Sequence, residues 1–190
     1  QASAPPQDQA KKEQLEQINR LKELAQRQQD INEKLKELQT ALQEAKTEKE
    51  KEQIERELKR LRDEQREMLA DMDALKQQMD RQQGEQAQSR EGQQQIEQAR
   101  QEAQKAAESL EKGSVSQALA AGTRTQRDLE KVRDEARKKN SSQFADEMKQ
   151  MRNDARDLAD KQDQIKKKID DTANQPKTLS DSGETEQLAK

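Results

Sequence analysis

Residues 21–42 read LKELAQRQQDINEKLKELQTAL, and their apolar members recur at alternating spacings of three and four. This spacing is typical of the heptad seam of a coiled coil. Acidic residues precede basic residues by four positions on the flanking face, as in Glu23/Arg27 and Asp30/Lys34, which indicates a solvated helix face. The seam has one polar member and consists of Leu21, Leu24, Gln28, Ile31, Leu35, Leu38, Leu42 and Ala45.

A second seam follows, two residues out of phase with the first: Ile54, Leu58, Leu61, Gln65, Met68, Met72, Leu75 and Met79. The join KTEKEKEQ, residues 46–53, is entirely polar, and Thr47 with Glu50 matches a capping box that begins a new helix. The pattern therefore favours an antiparallel helical hairpin over residues 11–83 with a turn near residues 45–49. A single long helix with a local phase change is the other interpretation.

The pattern weakens after this hairpin. Residues 84–94 are rich in Gln and Gly and predict a connection, and residues 95–173 predict three helices with breaks near residue 113 and at residues 140–142. Gly113 followed by Ser114 indicates a glycine cap and a new N-cap. The last of these helices carries a seam of Phe144, Met148, Met151, Ala155, Leu158, Gln162, Ile165 and Ile169.

Composition limits both fold and function. The chain has 190 residues, of which 41% are charged and 27% hydrophobic, too few apolar residues for a compact globular core. We expect an all-α fold: an elongated coiled-coil bundle of three to five amphipathic helices in antiparallel hairpins, with a disordered leader at residues 1–10 and a disordered tail at residues 174–190. A chain that is disordered in part is also compatible with this composition.

Missing residue types exclude several chemistries. The chain has no His and no Cys, which excludes an imidazole base, a catalytic triad, a thiol nucleophile and the common zinc sites. The 37 basic and 40 acidic residues leave no basic excess for a nucleic acid. No apolar run is long enough for a membrane span. We therefore predict no enzyme, no cofactor, no metal, no nucleic-acid partner and no small-molecule substrate.

Several clusters resemble sites but have simpler interpretations. Aspartates recur every three residues at Asp154, Asp157, Asp160 and Asp163, yet a Ca²⁺ site normally needs six or more oxygens from a loop, so a solvated acidic stripe is favoured. The basic clusters at residues 137–139 and 166–168 indicate solvated helix ends. All five methionines lie on seam positions and are interpreted as adaptable core residues.

Gln28, Gln65 and Gln162 share one context: each lies at a core heptad position between two apolar residues. A polar side chain in a seam costs stability but penalises other registers, because a misplaced amide loses its hydrogen bonds. The three glutamines therefore predict register control or a polar contact across a hairpin. The other interpretation is that they reflect only a glutamine-rich composition.

The stretches LAQRQQDINEKLKELQTALQEAKTEKEKEQIERELKRLRDEQREML, SLEKGSVSQALAAGTRTQRDLEKVRDEARKK and FADEMKQMRNDARDLADKQDQI together resemble the glutamine-rich helical region of certain large, poorly characterised bacterial proteins. Those proteins are membrane-anchored and often encoded near MoxR-type ATPases. The resemblance spans most of residues 12–170. It implies a segment of an extracytoplasmic (periplasmic) scaffold and carries over no catalytic residue.

The expected function is that of a structural or scaffolding coiled coil in a larger bacterial protein, with another protein, a partner helix or a second copy of itself, as its partner. A holdase-like chaperone or adaptor that binds partner chains through Met- and Ala-lined helix faces is the second hypothesis. The sequence leaves open whether the seams pair within one chain or between chains.

Overall fold

The computed structural model of the protein describes residues 6–82 and 89–174. Within these ranges the chain forms four helices, and the predicted all-α class is confirmed. They are α1 (Pro6–Glu44), α2 (Glu48–Gln82), α3 (Ser89–Glu111) and α4 (Val115–Asn174). The chain divides into two compact units, one ending at Ser141 and one beginning at Ser142.

The turn between α1 and α2 is fixed by its capping box. The Thr47 hydroxyl accepts a hydrogen bond from the Glu50 amide at 3.2 Å, and the Glu50 carboxylate accepts one from the Thr47 amide at 3.0 Å and another from the Lys46 amide at 2.9 Å. These backbone donors, that of Thr47 first, lower the pKa of Glu50. The reciprocal bonds satisfy amides that a helix start leaves unpaired. The single long helix is therefore excluded.

The turn between α3 and α4 depends on Gly113. Its φ of 72° lies in the left-handed region, where a side chain is strained. The Ser114 amide bonds to the Ser109 carbonyl at 2.8 Å and the Gly113 amide to the Leu110 carbonyl at 3.1 Å, which together form a Schellman motif. The chain can therefore reverse within three residues.

Side-chain contacts give the direction of each helix in the first unit. Gln28 bonds Gln65 and Arg20 bonds Gln78, so α2 runs antiparallel to α1. The pairs Arg66–Glu111 and Lys76–Glu97 show that α3 runs antiparallel to α2. Glu102 bonds Arg124 and so joins α3 to α4 after the reversal at Gly113. The pairs Gln39–Ser116 and Asn32–Gln126 show that α4 runs antiparallel to α1. The first unit, which contains α1, α2, α3 and α4 as far as Ser141, is thus a closed up-down-up-down bundle.

The bundle core is built from the heptad seams. Three positions of α3, Ala99, Ala103 and Ala106, are fully buried, in accord with the close helix approach that small residues allow. Large apolar core residues come from all four helices: Ile18, Leu21, Leu24, Ile31, Leu35, Leu38, Ile54, Leu61, Met68, Met72, Leu75, Met79, Ile96, Leu110, Val115, Leu129 and Val132. Ala25, Ala107, Ala118 and Ala121 are buried as well.

The structure differs from the sequence expectation at several boundaries. The expected break at residues 140–142 is absent, because α4 continues through Asn140, Ser141 and Ser142. Asparagine and serine cost a helix only fractions of a kcal/mol, and no Pro or Gly interrupts the segment. Residues 6–10 of the expected leader are helical, as are residues 89–94 of the expected connection. The expectations for residues 1–5, 83–88 and 175–190 lie outside the described residues.

Candidate interaction surface

Three buried amides and one partly buried amide form a polar layer across the bundle: Gln28, Asn32 and Gln65 are buried, and Gln126 is partly buried. Gln28 and Gln65 exchange two hydrogen bonds, Gln28 Nε2 to Gln65 Oε1 at 3.1 Å and Gln65 Nε2 to Gln28 Oε1 at 2.9 Å. Gln28 Nε2 also donates to Asn32 Oδ1 at 3.0 Å, and Asn32 Nδ2 donates to Gln126 Oε1 at 3.1 Å. The layer therefore joins α1 to both α2 and α4.

Gly122 makes room for this layer. A Cβ atom at residue 122 would lie 2.2 Å from Asn32 Oδ1 and 2.8 Å from Gln28 Nε2. Both distances are far below van der Waals contact, so any side chain at this position would displace the amides. Glycine is therefore needed here for space and not for its backbone conformation.

The polar layer bears on the hypothesis about core glutamines. Gln28 and Gln65 are fully buried, and their reciprocal bond is a polar contact across the α1–α2 hairpin. A shift of α2 by one heptad would place an apolar side chain opposite Gln28 and leave its Oε1 atom without the donor that Gln65 supplies. That loss costs about 1–3 kcal/mol per buried group. Gln162 behaves differently, since the structure leaves it exposed on α4.

The sequence analysis missed several residues that lie in the polar layer or next to its members along the chain. Asn32, Gly122, Thr125 and Gln126 did not stand out, because none is apolar. A signal was nevertheless present: Val115, Ala118, Gly122, Thr125, Leu129 and Val132 follow the same alternation of three and four as the recognised seams, and all are buried. The heptad pattern was hard to recognise because Ala118 and Gly122 are small and Thr125 is polar.

Two leucines of the predicted seams in the bundle are less buried than expected. Leu42 is exposed, and Leu58 is only partly buried against the core. Gln39 already bonds Ser116 in the first turn of α4, so Leu42 lies beyond the level at which α4 begins. Leu42 therefore lacks one neighbouring helix.

The second unit presents its seam to solvent. Every described residue from 142 to 174 is exposed. Six large apolar side chains expected to be buried are 42–63% exposed: Phe144, Met148, Met151, Leu158, Ile165 and Ile169. With Ala155 and Gln162, which share their spacing, they form what we call the C-terminal stripe. No part of the described chain covers it, which corrects the expectation of a packed fifth helix.

Ion pairs connect neighbouring helices at the surface of the bundle. Three ion pairs join α2 to α3: Arg66–Glu111, Lys76–Glu97 and Arg100–Asp73. The hydrogen bond from Lys76 is the main reason that the pKa of Glu97 lies below its usual range. Arg66–Glu111 is exposed and the other two pairs are partly buried. Ion pairs at a protein surface are each worth only about 0–1 kcal/mol. They orient the helices more than they stabilise them.

Other site types are not supported by the described residues. No three Asp or Glu side chains within residues 6–82 and 89–174 cluster closely enough to hold a metal ion. None of the helices in those ranges has the length and apolar character needed to cross a lipid bilayer. No protein-family model, curated protein or solved structure matches this chain. The C-terminal stripe is therefore the feature on which a function can be argued.

Proposed function

We propose that this protein is a non-enzymatic scaffold module that associates with another helix through the C-terminal stripe. The observation that carries the proposal is the contrast between its two units. In the bundle the heptad seams close on one another, whereas Phe144 to Ile169 expose the same kind of seam along one face of α4. Isolated apolar side chains on a surface need no explanation, but a regular line of them marks an interaction site.

The burial of the bundle explains why the stripe would be the interacting face. Met68, Met72 and Met79 are buried in the core, and so are the alanines of α3. The Met- and Ala-lined faces that a holdase-like chaperone would need are therefore mostly closed. Only Met148 and Met151 remain exposed, and they lie within the stripe. Because methionine side chains are flexible and can adapt to different partners, a chaperone or adaptor is the second candidate function.

The resemblance to glutamine-rich helical regions of bacterial membrane-anchored proteins extends the proposal. On that basis the module would belong to a larger protein outside the cytoplasm. It would hold other parts of that protein, or a partner, at a fixed distance through helix packing.

Site-specific photo-crosslinking tests the proposed function. A photoreactive phenylalanine replaces Leu158 in the stripe, and a matched variant carries it at Gln150, on another face of the same helix. We expect the Leu158 variant to crosslink to one defined helical segment, of a second copy or of another protein, and the Gln150 variant to give little product. Equal crosslinking from both positions, or none from either, would refute the proposal.

The chaperone hypothesis has its own readout. The full chain is mixed with a heat-denatured model enzyme, and light scattering reports aggregation. Suppression of aggregation that is lost in the double variant Leu158→Asp/Ile165→Asp and kept in Gln150→Asp/Gln164→Asp would favour a client-binding role. No suppression would leave the scaffold as the better description. All four positions are exposed, so we expect these variants to retain the helical content of the parent.

A further inference from the structure

We infer that the C-terminal stripe pairs with the same stripe of a second copy of this chain, in antiparallel orientation. The inference rests on the proposed function and names its partner. It starts from the heptad positions: Met148, Ala155, Gln162 and Ile169 take position a, and Phe144, Met151, Leu158 and Ile165 take position d. The stripe is about 39 Å long at 1.5 Å per residue, close to four heptads.

Charges beside the stripe have a twofold pattern. Position g, which flanks the seam on one side, carries Glu147, Asp154, Lys161 and Lys168 in chain order. The first two are acidic and the last two basic, so the sequence of charges is reversed about the middle of the stripe. A surface that complements itself after a twofold rotation is the requirement for a symmetric dimer.

In an antiparallel alignment of two copies, every charged residue at position g lies beside a residue of opposite charge. Position a of one copy then faces position d of the other, which gives the layers Met148–Ile165, Ala155–Leu158, Gln162–Met151 and Ile169–Phe144, each formed twice. In the same alignment position g faces position g. Glu147 lies beside Lys168 of the second copy and Asp154 beside Lys161, so four flanking pairs form and all are attractive.

The other flank is compatible with close approach. Position e carries Ala145, Arg152, Ala159 and Lys166, and in the antiparallel alignment each alanine faces a basic residue. No like charges meet there. The aliphatic stem of a long basic side chain can cover apolar surface while its charge stays in water. Gln162 facing Met151 is the one unfavourable layer.

A parallel dimer is less well matched. In that orientation position g faces position e of the next heptad, so Glu147 attracts Arg152 but Lys161 repels Lys166. Each contact occurs twice, so the two attractive pairs are offset by the two repulsive pairs. Four attractive pairs therefore favour the antiparallel orientation over two attractive and two repulsive ones, although the parallel form would let Gln162 face its own copy.

Charge reversal separates the two orientations because its effect has opposite signs. In Lys161→Glu/Lys168→Glu, all four antiparallel pairs become acid against acid, whereas the parallel repulsion becomes an attraction. We expect sedimentation equilibrium of the full chain to show a dimer that the substitution weakens about 10- to 50-fold. The control Lys149→Glu/Lys167→Glu changes the net charge equally at exposed positions outside the seam and should leave the dimer unchanged. Tighter association than the parent, or no difference from the control, would overturn the inference.

A complementary variant tests for rescue. Glu147→Lys/Asp154→Lys makes position g entirely basic and should also weaken its own dimer. Mixed with Lys161→Glu/Lys168→Glu, it should form a heterodimer at least as tight as the parent dimer, because all four flanking pairs are again opposite in charge. Failure of the mixture to associate would contradict the antiparallel pairing.

Introduced thiols report orientation directly, since the chain has no cysteine of its own. A mixture of Met148→Cys and Ile165→Cys chains should give the mixed disulfide, identified by intact mass, because these positions share a layer. Two copies of residue 148 would lie about 25 Å apart, far beyond disulfide reach. Disulfides between identical chains alone would indicate a parallel dimer and refute the inference.

The outcomes also distinguish this inference from the proposed function. A parent chain that stays monomeric at every concentration refutes self-pairing. If Leu158 then crosslinks to a helix of another protein, the scaffold function stands with a different partner. If it crosslinks to nothing, both proposals fail.

Discussion

Replacing Gly122 with alanine perturbs the polar layer at its tightest point. Alanine favours a helix interior over glycine by about 1 kcal/mol, so the substitution would stabilise an open site. At residue 122, however, the new methyl group would lie 2.2 Å from Asn32 Oδ1. Asn32 is buried and held by bonds to Gln28 and Gln126, so it cannot move away without breaking them. Overpacking costs about 1–3 kcal/mol and a lost hydrogen bond about 1 kcal/mol.

We therefore expect Gly122→Ala to lower the free energy of unfolding by about 1–2 kcal/mol. Removing the obstacle should reverse the sign. In the background of Asn32→Ala, which is itself destabilising, the added methyl group finds space and Gln28 can shift, so the same substitution should stabilise by up to about 1 kcal/mol. A coupling of about 2–3 kcal/mol between the two sites would follow.

Urea unfolding followed by circular dichroism at 222 nm measures all four proteins of this cycle. Gly92→Ala is the matched control, because a Cβ at residue 92 of α3 would meet no atom within 4 Å. That change should be neutral or stabilising. If Gly122→Ala stabilises the parent chain as well, or if the two sites are additive, the steric reasoning is wrong.

Four further predictions concern the two caps and the carboxylates of Glu50 and Asp128. Thr47→Ala should cost about 1 kcal/mol in urea unfolding. Because the folded pKa of Glu50 is lowered, its contribution should be complete above the pKa of an unfolded glutamate and be lost as pH falls through the folded value, which a pH series with Glu50→Gln would test. Gly113→Ala should cost about 1 kcal/mol through its left-handed φ, and unchanged stability would contradict this. Burial first and Glu102 second raise the pKa of Asp128, so Asp128→Asn should raise the urea midpoint at neutral pH, and this gain should disappear as acid protonates Asp128.

The sequence predicted the two helix caps of the bundle. The capping box at Thr47 and Glu50 and the glycine cap at Gly113 involve residues close together in the chain, so their geometry follows from a few neighbouring residues. The heptad spacing gave the helices and most of the buried positions of α1 and α2 because a helix fixes which residues share a face. The break expected at residues 140–142 failed for the converse reason, since weak helix formers alone do not end a helix.

The sequence pattern did not predict which helix faces pack against each other. Residues 21–42 and residues 144–169 carry the same heptad spacing, yet the first seam is buried in a bundle and the second is exposed. Periodicity states which face is apolar but not which surface covers it. Contacts between residues 94 positions apart, as between Asn32 and Gln126, exist only once the helices are assembled. Space for Asn32 beside Gly122 likewise depends on how closely α1 and α4 approach, and no spacing along the chain specifies that distance.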